Sequence, residues 1–416
     1  MTATLRLPDA GWLGAPALAR VLSILNGDGE EARVVGGAAR NALMGLPLSD
    51  IDIATTAPPD EVVRRATADG LKTVPTGIDH GTVTLVVGGT PFEVTTLRRD
   101  VETFGRKAKV AFGRDWKVDA ERRDFTMNAL SISLDGTVHD YVGGLADLRA
   151  HRVRFIGEPA RRIAEDYLRI LRFFRFHASY AHGPPDPAGL HACIAARDRL
   201  RTLSRERVRA EVMKLLLAPF AVPTLAVMVE AGFAAPLLGG VALLASFANM
   251  IKVEAAAAVA PDAVRRLGAL GVFIAEDVER LRERLRLFNA EYERLAAMAD
   301  RWWRVSPALG EASARALLYR VGPVAYVDRA LIAWTRAPQG AADPAWHDLA
   351  TLPMRWTAPR FPLKSAHLLA RGVAKGPALG AAMRAAEDSW IAAEFPLDQI
   401  TLDRIADAAA HSATVV

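Results

Sequence analysis

The pattern of apolar residues changes once along this chain, near residue 150. Before that point, segments such as DIDIATT, GTVTLVVGG and PFEVTTL are rich in β-branched residues and alternate with a period of two, which predicts strands. After it, segments such as PARRIAEDYLRILRFFRFHASY carry apolar residues at the i, i+3, i+4 spacing of amphipathic helices. The sequence therefore predicts an α+β fold class, with an α/β head followed by a long all-α remainder.

The length and composition of the chain limit the classes of protein to which it can belong. At 416 residues the chain is long for one core, so we expect two or more structural units. The single cysteine excludes a disulfide framework and a four-thiolate zinc site. No apolar run approaches the roughly 20 residues that span a bilayer, and no signal-peptide pattern is present, so we expect a cytoplasmic protein without a membrane partner. A pI of about 9.5 is compatible with nucleic acid as a partner.

The segment GGAARNALMGLPLSDIDIATT begins with two glycines between a predicted strand and a predicted helix that ends at Gly45. Glycine allows the backbone to approach a phosphate closely, and the helix N-terminus presents free N–H groups. Arg40, one turn into this helix, is placed to reach the same phosphate. The lysine and Ser/Thr of the P-loop are missing. The pattern predicts either a phosphate-binding turn or an ordinary tight turn.

Asp50 and Asp52 are two residues apart on a predicted strand, so we expect their side chains on one face. Two carboxylates that close repel each other unless a cation lies between them, and oxygen ligands suit magnesium. A pair of such ions about 3.5–4 Å apart would activate an attacking hydroxyl and stabilise a leaving pyrophosphate. The alternative is a solvated pair of aspartates. Glu93 and Arg98 are further candidates for this site.

Asp166, Arg169, Arg172 and Arg175 recur every three residues on the predicted helix. Each step drifts by roughly 60°, so the four form a slow spiral in which adjacent members can act together. A carboxylate accepts from an exocyclic amine, and a guanidinium donates to a ring acceptor. Such a pair would accept cytosine and adenine and refuse uracil and guanine.

A structural interpretation of the same helix is equally simple. Glu165 and Asp166 can pair with Arg162 and Arg169 on a solvated face. The spacing alone favours surface ion pairs over base reading.

Five motifs in order carry a resemblance to a known family. They are GGAARNALMGLPLSDIDIATT, GIDHGTVTLVVGGTPFEVTTLRRD, ERRDFTMNAL, YVGGLADL and AEDYLRILRFFRF, within residues 36 to 215. Together they resemble the tRNA nucleotidyltransferase/poly(A) polymerase family in its bacterial class II branch. The resemblance implies a polymerase β-like nucleotidyltransferase head at 1–150, a nucleotide-selecting helical neck at 151–220, a helical body at 221–335 and a tRNA-binding helical tail at 336–416.

The resemblance also implies a role for each candidate residue. Asp50 and Asp52 would be the catalytic metal ligands for Mg²⁺. The nucleotide would be bound by Gly37 and Arg40 at the triphosphate, by Arg123, by Asp166 and Arg169 at the base, and by Arg172 and Arg175 in support. One departure from the family pattern is Asn41, because an aspartate often follows the arginine there.

The implied activity is template-independent addition of C, C and A to the 3′ end of tRNA from CTP and ATP, with release of pyrophosphate. The implied partner is the tRNA acceptor end; the oligomeric state is not indicated. An enzyme that adds only A, or a bacterial poly(A) polymerase, shares the head motifs, although TGIDHGTVT stands where the polymerase has a basic segment. A non-catalytic RNA-binding relative is a remoter alternative. We expect the loop at about 98–120 to be mobile and to reshape the base pocket, and we expect no appended His-Asp phosphohydrolase.

Overall fold

The computed structural model describes residues 5–7, 10–48, 50–104 and 107–414. The chain divides into two compact units, Met1–Leu237 and Leu238–Val416. The predicted domain limits near residues 150, 220 and 335 remain predictions. Within the described ranges, no helix is both long and apolar enough to cross a membrane.

The first unit contains a mixed sheet that confirms the predicted α/β head. Its seven strands follow the order β3-β4-β5-β2-β1-β8-β9, and β6 and β7 form a separate hairpin. In the centre, β2 pairs with β1 in antiparallel and with β5 in parallel orientation. The strands are β1 (Ala32–Val35), β2 (Asp52–Thr55), β3 (Lys72–Gly77), β4 (Thr82–Val87), β5 (Thr90–Thr96), β6 (Arg98–Phe104), β7 (Lys107–Phe112), β8 (Ser131–Ile132) and β9 (Val138–His139).

The hairpin predicted at GGT joins β4 to β5. Gly88 and Gly89 both have positive φ, +57° and +85°, the conformation of a two-residue turn that matches the strand twist. On β4, Val83, Leu85 and Val87 are buried, as the period-2 pattern predicts.

The predicted loop at 98–120 is largely regular. It forms the β6–β7 hairpin and then a short helix, with residues 105–106 outside the described ranges. The base of the hairpin is fixed at Gly81, whose φ is +83° and whose Cβ, if present, would lie 2.7 Å from the Phe112 ring. The mobility of the segment stays a prediction.

The helix predicted across residues 159–180 is two helices, and this corrects the sequence analysis. The chain is extended at Asp166, with φ −155° and ψ 109°. Asp166 Oδ1 accepts the Leu168 N–H at 3.1 Å, so the side chain caps the second helix and does not sit on it. The helices of this unit are α1 (Pro16–Leu25), α2 (Gly36–Leu43), α3 (Pro59–Ala68), α4 (Trp116–Glu121), α5 (Gly144–Arg149), α6 (Pro159–Glu165), α7 (Leu168–Tyr180), α8 (Pro187–Ala195), α9 (Arg205–Leu216), α10 (Ala221–Glu230) and α11 (Ala234–Leu238).

Helix α7 is anchored by aromatic packing. The Phe173 ring stacks on Phe155 with centroids 5.4 Å apart, and Phe155 contacts Phe125 at 4.9 Å. These rings are buried, so the position of α7 is fixed relative to the loop that carries Arg122 and Arg123.

The second unit is helical throughout its described part, as predicted. Helix α16 bends at Gly322, where φ is 77°, immediately before Pro323. Its first half packs Tyr319 against Trp390, and its second half buries Tyr326. The helices are α12 (Leu244–Ala256), α13 (Ala263–Gly271), α14 (Ala275–Leu285), α15 (Asn289–Ala299), α16 (Glu311–Thr335), α17 (Pro344–Ala350), α18 (Leu352–Arg355), α19 (Ser365–Leu369), α20 (Pro377–Ala392) and α21 (Gln399–Thr414).

Candidate active site

A cleft of about 550 Å³ in the first unit gathers most of the candidate residues. Seven of the nine line it, while Asp50 and Arg175 do not. A larger cavity, of about 920 Å³, contains none of the nine. The smaller cleft is therefore the candidate active site. Its lining is Gly36, Gly37, Arg40, Asp52, Arg122, Arg123, Asp124, Asn128, Asp166, Leu168, Arg169, Arg172, Phe176 and Arg207.

The acidic end of the cleft, called the head end below, lies at the start of β2. The strand begins at Asp52, so Asp50 precedes it, contrary to the expectation that both aspartates lie on the strand. Asp52 is in register with Glu93 on β5. Burial raises the pKa of Asp52, Glu93 and Asp50 raise it further, and Arg123 opposes them. The positive charge of Arg123 therefore does not offset the burial of Asp52 and the neighbouring acids, and the pKa of Asp52 stays raised.

These acids have no side-chain partner. Within the described ranges, Asp50, Asp52 and Glu93 form no ion pair and accept no hydrogen bond from another side chain. No group of three or more His, Cys, Asp or Glu side chains in those ranges converges on one metal position. Mg²⁺ in nucleotide enzymes is commonly held by one or two carboxylates together with substrate phosphates, and Asp50 and Asp52 fit that donor set.

The two glycines lie where α2 begins. Gly36 has φ +65°, and a Cβ there would lie 3.3 Å from Arg123 Nη1. A Cβ at Gly37 would lie 3.6 Å from Arg40 Nη2. The backbone therefore passes close to two guanidinium groups at the N-terminus of a helix, an arrangement that favours an anion.

Arg40 is buried beneath this turn. Its Nη1 donates to Asn128 Oδ1 at 2.6 Å, and its Nη2 donates to the Tyr180 hydroxyl at 2.7 Å and to Asn41 Oδ1 at 2.8 Å. The guanidinium also stacks on the Tyr180 ring, 4.0 Å from its centroid. Burial lowers the pKa of Arg40 below its ordinary value. Arg40 thus joins α2 to the end of α7.

Arg123 lies on the other side of the glycine turn. Its Nη2 contacts Asp119 Oδ2 at 3.1 Å, and Arg122 contacts the other oxygen at 2.6 Å. Although burial raises the pKa of Asp119, the two arginines hold it below its ordinary value. Asp119 therefore fixes the orientation of both guanidinium groups.

The end of the cleft formed by α6, α7 and α9, called the neck end below, is built from ion pairs. Asp166 Oδ2 contacts Arg207 Nη2 at 2.6 Å. Glu165 Oε2 contacts both Arg162 and Arg169 at 2.5 Å. The predicted pairing of Glu165 is therefore confirmed, although these side chains are partly buried and do not lie on a solvated face. The predicted pairing of Asp166 was wrong, because its partner lies on α9.

Arg172 and Arg175 occupy different surroundings. Arg172 pairs with Asp124 at 2.6 Å inside the cleft. Arg175 pairs with Glu211 at 2.5 Å and lies 4.1 Å from the centre of the Phe176 ring, away from the cleft lining. Arg172 also lies 3.8 Å from Glu211 and 5.3 Å from the centre of the Phe176 ring, so the two arginines share neighbours, but only Arg172 lines the cleft.

Several residues of this site were missed by sequence reasoning. Glu165 was considered only as a surface acid. Asn41, Asp124 and Asn128 lie in the motifs quoted above, but their contacts with arginines of the cleft were not foreseen. Asp119 lies one helical turn before Arg123. The remaining partners are brought in by tertiary contacts from distant positions: Tyr180, Arg207 and Glu211.

Family comparison agrees with this geometry. Residues 32–154 match the poly A polymerase head domain. Residues 185–244 match a domain described as the probable RNA and SrmB-binding site of polymerase A. The two matches cover the sheet, the glycine turn and α9.

Curated relatives extend the match. The mitochondrial CCA tRNA nucleotidyltransferase 1 of Danio rerio is 44% identical over 207 residues, which are 49% of this chain and 48% of the relative. The aligned part thus spans about half the length of that relative. The CCA-adding enzyme of Limosilactobacillus fermentum is 32% identical over 392 residues, which are 92% of this chain and 94% of the relative.

Solved structures share the fold. The Bacillus stearothermophilus CCA-adding enzyme in complex with CTP has a TM-score of 0.75 at 26% identity, covering 96% of this chain and 98% of that chain. The Thermotoga maritima CCA-adding enzyme complexed with tRNA has a TM-score of 0.66 at 20% identity, covering 96% of this chain and 98% of the other.

Proposed function

This chain belongs to the family of CCA-adding enzymes, and on that premise we propose that it adds C, C and A to the 3′ end of tRNA from CTP and ATP. Membership rests on the near full-length similarity to the L. fermentum enzyme and confirms the resemblance seen in the sequence. The observation that carries the proposed activity is the cleft, where an acidic end, a glycine turn and an Asp/Arg pair line one space. The relatives solved with CTP and with tRNA support these substrates.

Nucleotidyltransferases of this family generally use divalent metal ions, and we propose Mg²⁺ held by Asp50 and Asp52. The ion would supply charge stabilisation at the phosphates and at the attacking hydroxyl. The fit rests on two carboxylates that have no side-chain partner in the part of the chain that the structure describes, and on the raised pKa of Asp52. Glu93, in register with Asp52, keeps the local charge negative in the absence of a cation.

Arg40, Arg123 and the glycine turn at Gly37 are the proposed triphosphate site. In the reaction, the tRNA 3′-oxygen attacks the α-phosphorus, the new O3′–P bond forms, and the bond to the β-phosphate oxygen breaks to release pyrophosphate. Asp119 holds Arg123 facing the glycine turn. These residues position the phosphates and stabilise their charge without becoming covalently linked to them.

Asp166 and Arg169 are the proposed base readers. Each carboxylate oxygen has two acceptor sites, so Asp166 can accept an amine while it keeps Arg207 and the Leu168 N–H. The bonds of Arg169 to Glu165 and to the Arg162 carbonyl both use Nη1. Its Nε and Nη2 can donate to cytosine N3 or adenine N1, whereas uracil and guanine present an N–H at that position.

Arg172 and Arg175 are proposed to act differently from each other. Arg172, paired with Asp124 in the cleft, supports the nucleotide. Arg175 acts as a positioning residue through Glu211 and the Phe176 ring, because it does not line the cleft.

Transcripts of tRNA that end before CCA, after C, and after CC test the activity, each with CTP or ATP alone. We expect CTP to extend the first two to the CC end and ATP to extend only the third, by one residue. ATP addition without CTP addition on any transcript would indicate an A-only enzyme. Long adenylate tails would indicate a poly(A) polymerase, and no addition at all would indicate a non-catalytic RNA-binding protein.

A further inference from the structure

Among the described residues, one arginine of the cleft lacks a carboxylate within ion-pair distance. Six arginines line it, and five have a carboxylate within ion-pair distance among the described residues. Arg40 has none there. Its acceptors are the amide oxygens of Asn41 and Asn128 and the hydroxyl of Tyr180, all of them neutral.

Arg40 is nevertheless fully positioned. A guanidinium has five donor hydrogens, and four hydrogen bonds are made to these three side chains, two of them to Asn41 Oδ1 at 2.8 and 3.1 Å. The residue is 6% exposed, so bulk water does little to solvate the charge. Its orientation is satisfied, but among the described residues no carboxylate lies within ion-pair distance of its charge.

Asn41 determines this state. Its Nδ2 donates to the Pro47 carbonyl at 3.0 Å, which turns Oδ1 toward the guanidinium. An aspartate of the same shape would place a carboxylate oxygen at 2.8 and 3.1 Å from two guanidinium nitrogens and neutralise Arg40. The amide keeps the geometry and leaves the positive charge facing the cleft.

We propose that Asn41 sets the affinity of the cleft for polyphosphate, because it orients Arg40 without neutralising it and leaves the nucleotide's phosphates as the counterion. This inference rests on the proposed function. Asn41 is a positioning residue in this scheme. Because Arg40 acts mainly through its charge, its contribution grows with the number of phosphates on the ligand.

Calorimetric titration of the full chain with CMP, CDP and CTP in excess Mg²⁺ tests the proposal. We expect Asn41→Asp to weaken the binding of CTP about tenfold and that of CDP less, and to leave the binding of CMP nearly unchanged. Asn41→Ala removes the acceptor but keeps the net charge of Arg40, so the binding of CTP should weaken by only about threefold. Asn289→Asp, the same change of charge at an exposed position in the second unit, is the matched control and should bind CTP like the parent.

The outcomes separate the two proposals. Equal losses in Asn41→Asp and Asn41→Ala, or an Asn41→Asp loss that is the same for CMP and CTP, would overturn the role of charge. Parent-like CTP affinity in Asn41→Asp would also overturn it. A parent protein that binds no CTP would overturn the proposed function itself. Circular dichroism of each variant confirms that it is folded.

Discussion

The two ends of the cleft differ in how their charged side chains are paired. At the neck end, Asp166, Arg169 and Arg172 each have an oppositely charged partner within 2.6 Å. At the head end, Arg123 is paired with Asp119, but Asp52 and Arg40 have no such partner among the described residues. Charges that are already paired offer directional hydrogen bonds to a neutral group, whereas unpaired charges attract ions. The difference supports the proposal that the base binds at the neck end and the metal and phosphates bind at the head end.

The division also has a cost in stability at the head end. A carboxylate with a raised pKa and a buried arginine that forms no ion pair with any described residue both destabilise the ligand-free protein. Such destabilisation is expected at a site that is completed by its substrate.

The largest expected effect separates the metal site from base choice. Asp52→Asn should lower the rate of CTP addition about 10³-fold, because one proposed metal ligand loses its charge. The ratio of CTP to UTP addition should stay at the parent value. Single-turnover addition to tRNA lacking CCA measures both quantities, with Asp348→Asn on the second unit as the control.

Asp166→Asn should have the next largest effect, and unlike Asp52→Asn it should change the ratio of CTP to UTP addition. The amide replaces an acceptor with a donor toward the base, so kcat/KM for CTP should fall about 10²-fold while that for UTP falls less. Competition between CTP and UTP on the same tRNA measures the ratio. Glu158→Gln, an exposed acid just before α6, is the control; a ratio preserved in Asp166→Asn would place base selection elsewhere.

Arg207→Met tests whether the partner on α9 matters to selection. Asp166 keeps the Leu168 N–H but loses its ion pair, so the preference for CTP over UTP should fall only about tenfold. The rate at saturating CTP should fall less than in Asp52→Asn. A thermal shift assay checks the fold, and a variant with parent selectivity and parent stability would show that this ion pair is dispensable.

The smallest effect is a pH dependence of stability. Because the pKa of Asp52 is raised in the folded protein, its stabilising contribution is complete below the unfolded value of 3.8 and is lost as pH rises through the folded pKa. In EDTA, the parent should therefore lose more thermal stability than Asp52→Asn between pH 4 and 7. Mg²⁺ should reduce that difference; identical pH profiles of parent and variant would contradict the assignment.

Local patterns predicted much of the fold. The alternation in β4 and β5 and the Gly88–Gly89 turn are encoded within a few residues, and the structure contains both. The parallel pairing of β2 with β5 depends on contacts about forty residues apart, which alternation does not report. The break at Asp166 was missed because no glycine or proline marks it, and helical spacing continues across it.

The site was predictable to the extent that its residues belong to short motifs. The glycine turn, Asp52 and the Asp166/Arg169 pair stand in such motifs, and the structure brings them to one cleft. Their partners come from elsewhere: Asp166 meets Arg207 across 41 residues, and Arg40 meets Tyr180 across 140. Whether a charge is paired is decided by those contacts, so the contrast between the two ends is visible only in three dimensions.

The central claim is that the head end binds the metal and phosphates while the neck end selects the base. The most direct test is single-turnover addition from CTP and from UTP by the parent, Asp52→Asn and Asp166→Asn. We predict that Asp52→Asn lowers both rates by the same factor and leaves their ratio unchanged, while Asp166→Asn lowers the ratio. A changed ratio in Asp52→Asn together with an unchanged ratio in Asp166→Asn would contradict it.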